Sequence, residues 1–315
     1  MNILFTCVGR RVELVQCFKA AASELNIDLN VIGADSVLDA PALYFCDKKV
    51  QVPKIKENNY ISELLRICKE EKVEALIPTI DTDLLTLSAH SICFDEIGTK
   101  VFISAEDKIK ICRDKRLTAE YLEGLGLSSP KTFDDAKSYN LGFPAFIKPL
   151  DGSSSIFAYK LKSQTELDAF AQVVPDYIIQ PCVEGTEYTV DAFCDYEGNP
   201  IYITPRIRLA VRSGEVLKTQ IVQDQKIINE MKVLLADFRP IGAITVQLIR
   251  DAEGNDYYIE INPRYGGGAP LSIKAGANSP KALLRLVAGE KLSYEEGAAE
   301  DGAVYSRFDQ AVKVK

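Results

Sequence analysis

The sequence predicts an α/β chain that turns into α+β: a doubly wound parallel sheet over residues 1–105, then antiparallel sheets with packed helices up to residue 315. Three observations carry this. Short apolar runs alternate with amphipathic stretches through residue 105, the pattern of strand–helix–strand units around a parallel sheet. Residues 186–223 read instead as a meander of strands joined by Gly-containing turns, and residues 243–262 as a β-hairpin.

In the first region, strands are expected at 3–8, 30–34, 49–52, 75–79 and 100–104, with the clearest helices at 60–71 and 83–91. The turn Gly9-Arg10-Arg11 opens a helix, whose N-terminus suits an anion. It lacks the GxGxxG spacing, which speaks against dinucleotide binding. Residues 78–83 end a strand at the rim where doubly wound sheets bind ligands. There Asp81 or Thr82 fits a helix N-cap as well as a substrate contact.

A helical segment is expected over 105–125, carrying Asp114 and Lys115 and ended by Gly126. Residues 145–149 then read as a strand that carries Lys148 into the loop Asp151-Gly152-Ser153-Ser154-Ser155. A lysine before a Gly/Ser loop suits phosphate, because loop amides and hydroxyls can close over its oxygens. Most such loops taken singly are flexible connectors. A strand at 156–161 and a helix at 165–174 follow. The next apolar strand, from Tyr177, is interrupted by Pro181, leaving unpaired backbone groups that can hydrogen-bond a base edge.

The meander comprises strands at 188–194, 201–209 and 218–222. Arg206 and Arg208 are two residues apart and share a sheet face, with Arg212 near, an anion-site pattern set against a solvated face. A helix at 226–238 leads into the hairpin. With Glu253 and Gly254 as its central turn residues, Gln247 opposes Glu260 and Thr245 opposes Asn262. Side chains alternate along a strand, so Val246, Leu248, Ile259 and Ile261 take the other face and should meet a core. An ionised Glu is costly to bury alone, and hard divalent cations take carboxylate and amide oxygens. Gln247, Glu260 and Asn262 thus suit Mg²⁺, with Arg264 beyond them as an anion-binding fork. The hairpin alone fits a solvated outer face equally well. A helix around 281–288 and a strand at 303–308 finish the chain.

Composition narrows the chemistry. A net charge of −8 argues against nucleic-acid and anionic-membrane partners. Eight scattered cysteines without CxxC spacing read as buried free thiols of a cytoplasmic protein. The N-terminus does not read as a signal peptide, and no apolar run is long enough to span a membrane. His90 is the only histidine, which sets aside Ser-His-Asp chemistry and histidine-rich metal sites.

With these motifs in this order, the chain resembles the ATP-grasp enzymes over nearly its whole length. The nearest branch is that of single-copy relatives of the carbamoyl-phosphate synthase large subunit and small amino-acid ligases. Most specific is E-x-N-P-R on the second hairpin strand with Gln on the first. In this resemblance Lys115 and Lys148 match the two lysines on the ATP phosphates, and Ser153, Ser154 and Ser155 belong to the loop over them. Gln180, Pro181, Cys182 and Val183 match the adenine hinge, and Glu187 the acid on the ribose. Gln247, Glu260 and Asn262 match the metal ligands, and Arg264 the arginine after them. Gln180 and Gln247 stand where many relatives carry a carboxylate, and Gln247 leaves fewer negative charges for two ions.

The resemblance implies an N-terminal α/β domain (1–105), a small lid subdomain (106–178) and a larger antiparallel subdomain (179–315), with ATP between the last two. It implies one or two Mg²⁺ ions, with Mn²⁺ as a substitute, and a small-molecule carboxylate and an amine, amino acids among them, as partners. A homodimer is compatible with it. The implied reaction phosphorylates the carboxylate, and an amine then displaces phosphate, with Arg206, Arg208 and Arg264 holding the reacting anions. Two alternatives stand beside this ligase: a bicarbonate-activating or carbamoyl-phosphate-forming enzyme, and a nucleotide-binding module without catalysis. Retention of Lys148, Glu260, Asn262 and Arg264 together argues against the last.

Overall fold

The computed structural model describes residues 1–152 and 156–314. The first 105 residues form a five-stranded parallel sheet in the order β3-β2-β1-β4-β5. Its strands are β1 (Asn2–Thr6), β2 (Asn30–Asp35), β3 (Lys48–Gln51), β4 (Ala75–Pro78) and β5 (Lys100–Val101). Alternating side chains bury both faces. Ile3, Phe5, Val31 and Ile77 meet Leu14, Val15 and Phe18 of helix Val12–Glu24, whereas Leu4, Ile32 and Leu76 meet Leu64 and Ile67 of helix Tyr60–Glu70. Helices on both faces of a parallel sheet make it doubly wound, as expected.

A three-stranded antiparallel sheet, in the order β7-β6-β8, holds β6 (Ala145–Pro149), β7 (Tyr159–Leu161) and β8 (Tyr177–Pro181). A six-stranded antiparallel sheet follows, in the order β13-β12-β9-β10-β11-β14. It comprises β9 (Thr186–Cys194), β10 (Pro200–Arg212), β11 (Glu215–Ile221), β12 (Gly242–Arg250), β13 (Asp256–Asn262) and β14 (Val304–Ser306). Ser213 and Gly214 both take positive φ, the two-residue turn that matches the twist of β10 and β11. Helix Gln225–Phe238 covers one face of this sheet through Ile227, Ile228, Met231, Leu234, Leu235 and Phe238. The parallel-sheet core continues into the large sheet: Phe18 meets Phe5 and Tyr265 edge-on at 5.0 and 6.0 Å.

Four departures from the expected boundaries bear on the cleft. The 105–125 segment is two helices, Glu106–Arg113 and Lys115–Gly124, because Asp114 leaves helical geometry and its carboxylate caps the N–H groups of Arg116 and Leu117. The second helix sends Leu122 into the core beneath the large sheet, so the expected start of a lid at 106 corresponds to residues packed elsewhere. The expected boundary after 178 falls inside β8, which pairs with β6 from Tyr177 to Pro181. The strand expected at 156–161 begins only at Tyr159.

Candidate active site

Strand alternation sorts the large sheet into a core face and a cleft face. On β9, Tyr188, Val190, Ala192 and Cys194 enter the core under helix Gln225–Phe238, leaving Glu187, Thr189 and Asp191 on the opposite face. Gln247 is in register with Thr189 and Glu260, and Thr245 with Asp191 and Asn262. Arg206 joins the same face from β10, in register with Thr189. The expected pairing of Gln247 with Glu260 therefore stands, with Val246, Leu248 and Ile261 buried behind it.

Ile259 does not join them. A β-bulge lies between Gln247 and Leu248, and from there outward Leu248 pairs with Tyr258. Tyr258 fills the core position, 1% exposed, and Ile259 lines the cleft with Glu260. The turn differs too: Asp251 and Asn255 close it, with the Asp251 carboxylate taking the Asn255 N–H at 2.8 Å, so three residues lie between them. The longer turn and the bulge shift the register in opposite senses and cancel at Gln247.

The small sheet faces the cleft from the other side. Ala145, Ile147, Leu161 and Ile179 form its own core, and Phe146, Lys148 and Lys160 point into the cleft. Lys148 makes no ion pair among the described residues, and burial lowers its pKa to about 8 against the attraction of Glu260. Lys115 donates from Nζ to the carbonyls of Leu150 and Gly152 at 3.2 and 3.1 Å, tying its helix to the start of the 151–155 loop. Ser153, Ser154 and Ser155 lie outside the described residues.

In the 180–183 hinge two expectations change. Gln180 is buried, and its amide donates to the Pro130 carbonyl at 3.2 Å and to Thr132 Oγ1 at 2.9 Å. Pro181 still pairs, with Ala145, and the Cys182 N–H donates to the Pro144 carbonyl at 3.0 Å. The strand therefore runs one residue further than a proline suggests, and Val183 is the first hinge residue beyond it. Gly185 then packs against β12, where a Cβ would stand 2.0 Å from the Arg250 carbonyl oxygen, so only glycine fits.

The arginines divide into two groups. Arg206, 1% exposed, donates from Nε to Asp191 Oδ2 at 2.8 Å, so its charge is already balanced within the sheet. Arg208 bonds Glu187 at 3.1 Å and the Gly214 carbonyl at 2.9 Å. Arg264 donates to Asp81 Oδ2 at 2.6 Å, joining the hairpin to the parallel-sheet domain. Asp81 is accordingly the ion partner of Arg264; the helix N-cap is Ile80. Arg206 Nη1 and Arg264 Nε are buried without partners among the described residues. Arg212 lies outside the cleft, its side chain 63% exposed and bonded to Asp309. Sequence reading passed over Asp191, a carboxylate inside an apolar strand, and Phe146. Arg11 was noted only as part of an anion-binding turn, yet its side chain reaches the cleft.

These walls enclose a cleft of about 820 Å³, large enough for a nucleotide and a small acceptor. Phe146 from one sheet and Ile249 and Ile259 from the other leave an apolar slot beside Val183. At the hairpin, the Asn262 amide donates to Glu260 Oε1 at 2.9 Å, and Glu260 is the one carboxylate of the trio. Among the described residues no cluster of three His, Cys, Asp or Glu could hold a metal. One carboxylate with amide oxygens fits Mg²⁺ that takes its remaining ligands from phosphates and water. Mg²⁺ alone is therefore expected to bind weakly, and MgADP at least about tenfold more tightly than ADP without metal, which isothermal titration measures.

Two antiparallel sheets closing on such a cleft, with lysines on one and the Gln/Glu/Asn trio on the other, have the ATP-grasp architecture. Residues 173–310 match the family described as ATP-grasp in the biosynthetic pathway with Ter operon, and residues 3–102 match the PylC-like N-terminal domain. Neither match spans half of the chain, and both are in line with the resemblance its motifs show. It is 23% identical over 288 residues to the carbamoyl phosphate synthase large chain of Rubrobacter xylanophilus, an alignment covering 76% of this chain and 26% of that one. The chain therefore spans about a quarter of that relative's length. Among solved structures it resembles the N5-carboxyaminoimidazole synthetase of Staphylococcus aureus complexed with ADP (TM-score 0.75, 15% identity, covering 93% of this chain and 78% of that one). It also resembles the L-amino acid ligase of Bacillus licheniformis (TM-score 0.69, 17% identity, covering 91% and 73%). Among the described residues no helix is long and apolar enough to cross a membrane.

Proposed function

We propose that the chain is an ATP- and Mg²⁺-dependent ligase that joins a small-molecule carboxylate to an amine through an acyl phosphate, releasing ADP. The observation that carries this reading is the convergence on one cleft of a charge-strained lysine without an ion pair among the described residues, a hard-cation trio and the Arg264 side chain. Phosphoryl transfer asks little covalent help of a protein and depends on positioned charge.

In this reading the base lies between Phe146 and Ile249, with the Val183 backbone at its edge, and Glu187 takes the ribose hydroxyls. Lys148 and Lys115 hold the outer phosphates. Mg²⁺ when bound on Glu260, Gln247 and Asn262 would neutralise charge between the phosphates. Arg264, which lines the cleft beyond the trio, holds the acceptor carboxylate and keeps it in line with the γ-phosphoryl. Glu187→Ala is expected to raise the KM for ATP about tenfold with little change in kcat, since ribose is held alike in ground and transition states. Steady-state kinetics check this.

Hydroxylamine supplied with a panel of carboxylates tests the chemistry. An acyl phosphate is trapped as a hydroxamate, with ADP and phosphate formed in equal amounts. AMP as the nucleotide product would overturn the assignment, because it requires attack at the α-phosphate. Bicarbonate activation is the second reading, favoured by the carbamoyl phosphate synthase relatives. ADP release on bicarbonate alone, with no other carboxylate, would select it.

A further inference from the structure

Arg264 sits in a turn, Arg264-Tyr265-Gly266, that belongs to no strand or helix, because the pairing of β12 with β13 ends at Asn262. Both ends of the turn return instead to one side chain, Thr245 on β12. The Thr245 hydroxyl lies 3.2 Å from the Arg264 carbonyl oxygen and accepts the Gly266 N–H at 3.0 Å. Thr245 is 3% exposed, and Asp191 Oδ1 on the neighbouring strand lies 3.2 Å from the same hydroxyl. A hydroxyl has one proton, and a carboxylate attracts it more strongly than a carbonyl does. Asp191 therefore draws the proton to its own side and leaves the oxygen's lone pairs for the Gly266 N–H. Asp191 is itself held by Arg206 Nε at 2.8 Å and Ser272 Oγ at 2.7 Å. The glycine follows from the same contact. A Cβ on Gly266 would stand 2.8 Å from Thr245 Oγ1 and 3.1 Å from its Cγ2, so glycine lets the turn lie this close to the sheet.

We propose that Thr245 is a positioning residue for the acceptor half of the reaction. Its hydroxyl, oriented by Asp191, sets where the Arg264 backbone lies and so where the guanidinium meets the acceptor carboxylate. Asp81 fixes the far end of that side chain from the parallel-sheet domain, so Arg264 is held at both ends. The proposal rests on the ligase reading and adds to it a residue that acts through Arg264. Lys148, Val183 and Glu187 stand on other strands and do not depend on this contact, so the effect falls on the acceptor and spares the nucleotide.

Thr245→Val, which exchanges the hydroxyl for a methyl group of similar size, tests this. Amide hydrogen exchange of the MgADP-bound protein should quicken at least about tenfold at Gly266, with the amides of β9 unchanged. In the hydroxylamine assay, run with whichever carboxylate of the panel the wild type converts best, kcat/KM for that carboxylate should fall about 10- to 100-fold, while MgADP affinity by calorimetry stays within about twofold. Thr245→Ser keeps the hydroxyl and should recover most of the loss. Gly266→Ala pushes the turn off the sheet from the other side, and should repeat the kinetic pattern if the valine variant melts too low to assay. Wild-type exchange and turnover in Thr245→Val, an equal fall in MgADP affinity, or a serine variant as impaired as the valine one would overturn the proposal. The arms keep the two readings apart. Hydroxamate at the wild-type rate in Thr245→Val sinks this proposal alone. A wild type that traps no hydroxamate sinks the ligase, and Gly266 exchange then decides by itself whether the hydroxyl holds the turn.

Discussion

Glu260→Ala is expected to lower Mg²⁺-dependent ADP formation by about 100- to 1000-fold, the scale of removing one preorganised electrostatic partner of a transition state. The loss should fall on turnover, because the trio contains no second carboxylate to keep the metal against the phosphates. The fold should survive. Glu260 is only half-buried and faces the cleft, while the core contacts of this hairpin come from Val246, Leu248, Tyr258 and Ile261. Kinetics at saturating Mg²⁺ beside a thermal melt check both halves. A large drop in melting temperature, or unchanged turnover, would return the hairpin to a structural role.

Lys148→Ala is expected to cost about 100-fold in kcat and less in nucleotide affinity, because a cation beside transferring phosphate matters most where charge develops. Its titration gives a second signature. With a pKa of about 8, Lys148 is charged below that pH and neutral above it. Polyphosphate favours the charged form, so nucleotide affinity should fall as pH rises through 8, by at most about tenfold per unit. Lys148→Arg, which keeps its charge throughout, should flatten that profile. ADP titrations at several pH values measure it, and an unchanged slope in Lys148→Arg would assign the proton to another group.

Much of this site was legible because strand alternation is a strong constraint. Once Tyr188 and Val190 are placed in a core, Glu187 and Thr189 must leave it, and the same holds for Gln247 between Val246 and Leu248. The hairpin shows how such a reading can be right in part for compensating reasons. The turn was read one residue too short and the bulge was not seen, and because these offsets cancel, Gln247 still meets Glu260 while Ile259 does not reach the core. A bulge has no marker in a run such as DYYIEIN, where every residue suits a strand. The pairing of Arg264 with Asp81 was illegible for another reason. Those residues are 183 positions apart and meet only because two separately built sheets pack together. Arg206 was read as an anion grip from its spacing, but spacing carries no sign of Asp191 on the neighbouring strand. The break at Asp114 was within reach, since Asp is a preferred N-cap, though nothing local said that one helix should end there and another begin.

The bulge on β13 also divides the hairpin into two mechanically separate segments. Outside it, the Arg250 guanidinium clamps Asp224 and Asp256 and fixes the turn end to helix Gln225–Phe238. Inside it, Thr245 and Gln247 take their register from β9, which pairs with β12 along its whole length from Gly242 to Arg250, and Glu260 and Asn262 take theirs from β12. A change of length between Asp251 and Asn255 is therefore absorbed before it reaches Gln247. This exposed tip, held to helix Gln225–Phe238 only where Lys226 Nζ meets the Gly254 carbonyl at 2.7 Å, is where the hairpin can carry a fused peptide or dye as a reporter close to the cleft.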